Sequence, residues 1–156
     1  MNIDPIVTKI RRCVRKHELG AGAYARYTRP NEGKGQTLSI NPYGCADAAN
    51  LLYTIGDFER DPQRRAESIA AMQEMQDHET GLFHESTHHP IHTTAHVLAA
   101  LELYDAGPLY PVYALEEYRE IEKMRAFLEG LDWEGEPWGQ SHRGAGLYAA
   151  LRLTGR

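Results

Sequence analysis

Apolar residues recur at helical spacing in two kinds of segment that alternate along the chain. In residues 5–18, Ile6, Val7, Ile10, Cys13 and Val14 form one stripe with charges opposite, and in 112–129 Leu115, Tyr118, Ile121, Phe127 and Leu128 interleave with Glu and Arg in the same way. These stripes predict outer, half-solvated helices. Residues 45–53, 95–101 and 145–151 are instead apolar nearly all round and rich in Ala and other small residues. They predict helices buried on every side, with close backbone approach.

Proline and glycine set the ends. Pro5, Pro42, Pro62, Pro90 and Pro111 stand where a helix can begin, several behind a capping residue, and Gly20, Gly56, Gly107, Gly130 and Gly155 follow helical stretches. Six helices result, over 5–18, 43–55, 62–76, 91–105, 112–129 and 143–154. Nothing alternates with period two except the short stretch Leu38 to Ile40, so the expected class is all-α in a single domain. The apolar segments also superpose on one another. Leu101 and Leu151 lie fifty residues apart, each preceded by Ala-Ala and followed by a charged residue and Leu, and the Tyr53 segment fits about forty-eight earlier. One amphipathic and one buried helix per period is the pattern of an α/α-hairpin repeat.

This alternation resembles the α/α toroid shared by terpenoid cyclases, protein prenyltransferase β subunits and six-hairpin glycosidases. The run Gln76-Asp77-His78-Glu79-Thr80-Gly81-Leu82-Phe83 is similar to the Gln-to-Gly-x-aromatic turn that cyclases repeat between hairpins, with one extra residue before Gly and Phe in place of Trp. His92 to Leu101 resembles the start of an inner helix in prenyltransferase β subunits. The acidic motif of cyclases and the Asp-x-Cys zinc pair of prenyltransferases are both missing, so neither chemistry carries over. Toroids of this kind close with more hairpins than the three that 156 residues supply. The resemblance therefore implies a partial toroid, completed by a second copy of the chain or by a C-terminal half.

Length and composition bound the function. A chain of 156 residues, 42% hydrophobic and 25% charged, is large enough for an ordinary core, and no apolar run reaches the ~18 residues of a membrane span. Two cysteines and the polar start Met1-Asn2-Ile3-Asp4-Pro5 point to a cytoplasmic protein without a disulfide framework; Cys13 and Cys45 are expected in the core. Net charge is -5, with residues 1–40 at +5 and the rest at -10, which disfavours a nucleic-acid partner. The cluster Arg11, Arg12, Arg15 and Lys16 reads as the solvated face of the first helix.

Histidine changes the picture, because His84, His88, His89, His92 and His96 fall within thirteen residues. If the inner helices start at one end of the array, that end gathers Tyr43, Asp47 and Asn50 from the first, His88, His89, His92, Thr93 and His96 from the second, and Ser141, His142 and Arg143 from the third. Trp133 and Trp138 are expected in the loop before the third helix, at the same rim. Asp47 interrupts an apolar helix, where desolvation suits a general acid or base; it equally suits a structural partner for His96 or Arg143. The histidines read as substrate contacts or acid–base partners of Asp47. No metal or other cofactor is expected, with zinc at His92 and His96 the alternative. Two tryptophans beside Glu134 and Glu136 suit stacking on sugar rings, and Glu85 is a further rim carboxylate.

The reading is a carbohydrate-active enzyme or half-enzyme of the six-hairpin glycosidase type, hydrolase or lyase, with Asp47, His92, His96 and His142 catalytic. Tyr43, Asn50, His88, His89, Trp133, Trp138 and Arg143 are expected to bind a carbohydrate or other small molecule. The alternatives are a non-catalytic helical scaffold and an enzyme resembling cyclases or prenyltransferases.

Overall fold

A computed structural model describes residues 2–155, with the side chain of Glu32 left aside, and the fold is all-α. The α-helices are α1 (Asp4–His17), α2 (Pro42–Thr54), α3 (Pro62–Gln73), α4 (Pro90–Leu103), α5 (Ile121–Glu129) and α6 (Pro137–Thr154). Most start as the sequence dictates. Asn41 accepts a bond from the Gly44 N–H at 3.0 Å and Asp61 one from the Arg64 N–H at 3.0 Å, each followed by a proline whose missing N–H costs the first turn nothing.

The central element is α4. Its Val97, Ala100 and Leu101 pack with Cys45, Ala46, Ala49, Met72 and Phe83 on the side of α2 and α3. Its Ile91, Ala95 and Leu98 pack with Leu147 and Ala150 of α6 and with Val112 and Leu115. Burial of each Val, Leu, Ile, Met or Phe among these contributes roughly 1.5–3 kcal/mol, which explains why so apolar a helix is stable at the centre. The flanking α2 and α6 are less enclosed than their composition predicts: Leu51, Tyr53 and Tyr148 are exposed, because each of these helices has α4 on one side only.

Four further expectations are corrected. Residues 112–129 do not form one helix; a 3₁₀ segment, Tyr113–Arg119, precedes an extended Glu120 and then α5. With three residues per turn, Val112, Leu115 and Tyr118 line up on one side, and all three pack into the core beside α6. Helix α6 begins at Pro137 rather than residue 143, which puts Trp138 on the helix. A two-stranded antiparallel hairpin, β1 (Glu18–Gly20) and β2 (Ala23–Tyr24), follows α1, and Ala25 bridges to Ile40. Cys13 is exposed, because α1 presents only Val14 fully to the body of the protein; Cys45 is buried as expected.

The Gln76 turn is a clamp. Its amide donates to the carbonyls of Gly81 and Tyr110, both at 2.8 Å, and its oxygen accepts from the Tyr110 N–H at 2.9 Å. The turn after α3 is thereby fixed to the segment that leads into the 3₁₀ turn. It also holds Phe83, fully buried, whose N–H donates to Thr94 of α4 at 2.9 Å. Residues 84–89 start from that anchor.

Candidate functional site

Helices α2 and α4 run in the same direction, and two contacts show it. The Tyr43 hydroxyl meets His92 Nε2 at 2.9 Å, and one turn further along both helices Asp47 Oδ1 meets His96 Nε2 at 2.9 Å. Both pairs are separated by forty-nine residues. On the other side of α4, the His142 ring of α6 stacks on His92 with centroids 4.4 Å apart and an 11° interplanar angle. The close approach that permits this lies one turn on, at Gly146, where an added Cβ would come within 3.0 Å of His92 Cα. Distant residues thus converge on one end of the three helices, as the alternation of helix types predicts.

The result is a continuous ribbon of rings. Asp47 holds His96; Tyr43 leans on His96 with centroids at 4.3 Å and stacks on His88 at 4.4 Å; His92 and His142 follow; Trp138 meets His142 edge-on at 4.6 Å. Beside Trp138, a cleft of about 400 Å³ opens between His88, His89, His142, Arg143 and Glu136. A second cleft, of about 430 Å³, lies around Arg11, Asp57 and Arg64. There Arg11 pairs with Asp57 and Arg64 with Glu59, so those charges already satisfy one another.

Two residues complete the site that the sequence reading left at its margins. Glu85 is not a rim carboxylate: its side chain has no exposed surface, and it accepts from His88 Nδ1 at 2.8 Å and pairs with Arg26 at 3.3 Å. Arg26, just after the β1–β2 hairpin, lies with its guanidinium carbon 4.5 Å above the Tyr43 ring. Nothing in residue spacing connects positions 26, 43, 85 and 88. The buried ion pair brings them together.

Electrostatics follow from this crowding. Burial, and then the nearby His142, His88 and His96, push His92 down to about 4, so its imidazole is neutral in neutral solution. Burial, and then the Asp47 charge, raise Tyr43 above the ordinary phenol value, which keeps its proton on. His89 is lowered by burial and then by Arg143.

Not every expected site residue arrives. Asn50 donates to the Ala46 carbonyl of its own helix at 2.9 Å and makes no contact with the ribbon. His89 spends Nδ1 capping α4 at the Ile91 N–H, 3.2 Å away. Arg143 reaches the cleft wall but lies with its guanidinium carbon 5.5 Å from the Phe127 ring and bonds Gln140, leaving Nε buried without a partner. Trp133 stays in the turn after α5, exposed and away from the histidines. Of the two residues named as alternative zinc ligands, His96 is engaged by Asp47. The three histidines whose ligand nitrogens all lie within 4.8 Å of one another are His88, His92 and His142.

Among the described residues no helix is long and apolar enough to cross a membrane. Comparison of the chain with family models, with curated proteins and with solved structures finds no match.

Proposed function

We propose that this chain is a carbohydrate-active enzyme, or a domain of one, in which α2, α4 and α6 are inner helices of a partial α/α-hairpin array and proton transfer takes place at their shared end. The observation that carries the reading is the 2.9 Å bond between Asp47 and His96, one ring away from Tyr43. A carboxylate on one imidazole nitrogen orients the ring and fixes its tautomer, so the other nitrogen serves as a base. Tyr43, held protonated, is the complementary donor. Trp138, three-quarters exposed at the cleft mouth, offers the flat apolar face on which a sugar ring stacks. A non-catalytic scaffold has no reason to gather its polar side chains at one end of three helices.

The carboxylates narrow the chemistry. Hydrolysis by a pair of carboxyl groups needs both within reach of the glycosidic bond. Glu85 is wholly covered and paired with Arg26, and of the others Glu136 lines the Trp138 cleft while Asp47, bonded to His96, does not, so the two do not face one cleft as a pair. This favours proton abstraction and elimination on an acidic sugar over two-carboxylate hydrolysis. We further read the protein as cytoplasmic and as associating through the exposed flanks of α2 and α6, with a second copy or with further hairpins.

The test is a panel of neutral and uronate-containing polysaccharides incubated with the full chain. New reducing ends accompanied by ultraviolet absorbance of an unsaturated sugar are expected, and Asp47→Asn and His96→Gln should each lower the rate at least a hundredfold. Reducing ends without unsaturation would move the reading to hydrolysis. A folded chain that neither binds nor turns over any of these polymers would leave the scaffold as the better account.

A further inference from the structure

We infer that His88, His92 and His142 form a binding site for a divalent first-row transition ion, zinc in the first instance. This goes beyond the sugar reading and does not depend on it. One nitrogen from each ring lies within 4.8 Å of the others. Tetrahedral zinc with Zn–N of about 2.0–2.1 Å needs its nitrogens roughly 3.3 Å apart, so the rings must close by at most about 1.5 Å. All three are half-buried side chains at helix ends or in the adjoining loop, where ring rotation supplies such a movement.

Two features distinguish this group from a chance meeting of histidines. The first is the outer contact of His88. Its Nδ1 is held at 2.8 Å by Glu85, which fixes the tautomer and leaves Nε2 the unprotonated nitrogen, the arrangement by which a carboxylate orients and strengthens a metal-bound histidine. The second is charge. Arg26, 3.3 Å from His88 Nδ1, would repel a cation, but Glu85 is within 3.3 Å of the same guanidinium and neutralises it. Three imidazoles leave one coordination position, as in zinc sites that exchange ligands rather than purely structural ones. Of the three ligands, His88 and His142 also line the Trp138 cleft.

The experiment is calorimetric titration of the chelator-treated full chain with ZnCl₂, paired with visible spectroscopy of the CoCl₂ adduct. One site per chain with micromolar or tighter affinity is expected, together with the intense visible band of four-coordinate cobalt. His88→Ala and His142→Gln should each weaken zinc binding at least tenfold. His78→Ala and His84→Ala, at exposed histidines outside the group, should not change it. Melting curves recorded without metal establish that each variant is folded, and His92→Gln replaces either of the first two that is not. Millimolar affinity in the folded wild-type chain overturns the inference. So does zinc binding that survives both ligand substitutions.

Discussion

The carboxylate of Glu85 and Nδ1 of His88 lie 2.8 Å apart, and the carboxylate has no exposed surface. A buried charge of this kind is stable only while its partners remain, here His88, Thr87, which donates its N–H and hydroxyl, and the Arg26 guanidinium, its one fixed positive charge. Removing Arg26 while leaving Glu85 should therefore cost more than removing both. Arg26→Ala is expected to destabilise the fold by about 3 kcal/mol in urea denaturation, and the double variant Arg26→Ala/Glu85→Leu by less. Equal losses would show that Thr87 and His88 alone satisfy Glu85.

The turn clamped by Gln76 depends on a glycine. Gly81 has φ +73°, and a Cβ there would stand 2.0 Å from the Pro111 carbonyl oxygen and 2.6 Å from Val112 Cα. Both are backbone atoms and cannot rotate away. Gly56, at φ +78°, faces open space. Gly56→Ala should cost about 1 kcal/mol, the strain of the left-handed backbone alone, whereas Gly81→Ala should cost more than about 2 kcal/mol by adding the collision. Thermal melts of the two variants side by side separate strain from packing.

Those two glycines mark what was legible in the sequence. Helix type and order follow from the spacing of apolar positions, and the offset of about fifty between buried segments places Tyr43 opposite His92 and His92 opposite His142. Capping and proline chemistry give four of the six α-helix starts to within a residue. The start of α6 was missed because Trp138 to His142 contains neither an apolar stripe nor an Ala-rich run, so only the tertiary contact with α4 reveals it as helix. The 3₁₀ turn was missed because Val112, Leu115 and Tyr118 fit a period of three nearly as well as one of 3.6. Glu85 and Arg26 were illegible as a pair, since an ion pair between loop residues fifty-nine positions apart leaves no periodic trace.

Alkaline pH offers a test of packing at the hairpin. Burial, and then the charge of Glu18, push Tyr24 up to about 12 from an unfolded value of 10.0. For an acid whose folded value is raised, the stabilising contribution is complete below pH 10 and disappears as pH climbs toward 12. Melting temperature should fall across that window, and Tyr24→Phe should flatten the fall while changing little at pH 8. Tyr104 is raised in the same direction by burial, so some slope remains in that variant. Absorbance of tyrosinate during the same titration identifies the late-ionising rings.

Tyr43 separates structure from chemistry at the site. Its ring stacks on His88 at 4.4 Å, leans on His96 at 4.3 Å and carries Arg26 above it, while its hydroxyl makes the single bond to His92. Tyr43→Phe keeps every ring contact and loses the hydroxyl, so stability should drop by about 1 kcal/mol. Tyr43→Ala removes the centre of the ribbon and should cost about 3 kcal/mol. If the hydroxyl donates a proton in the proposed reaction on acidic sugars, Tyr43→Phe should lower kcat at least a hundredfold with KM little changed, because ligand stacking on Trp138 is untouched. A Phe variant that retains full turnover would assign Tyr43 to packing and leave proton transfer to the Asp47–His96 pair alone.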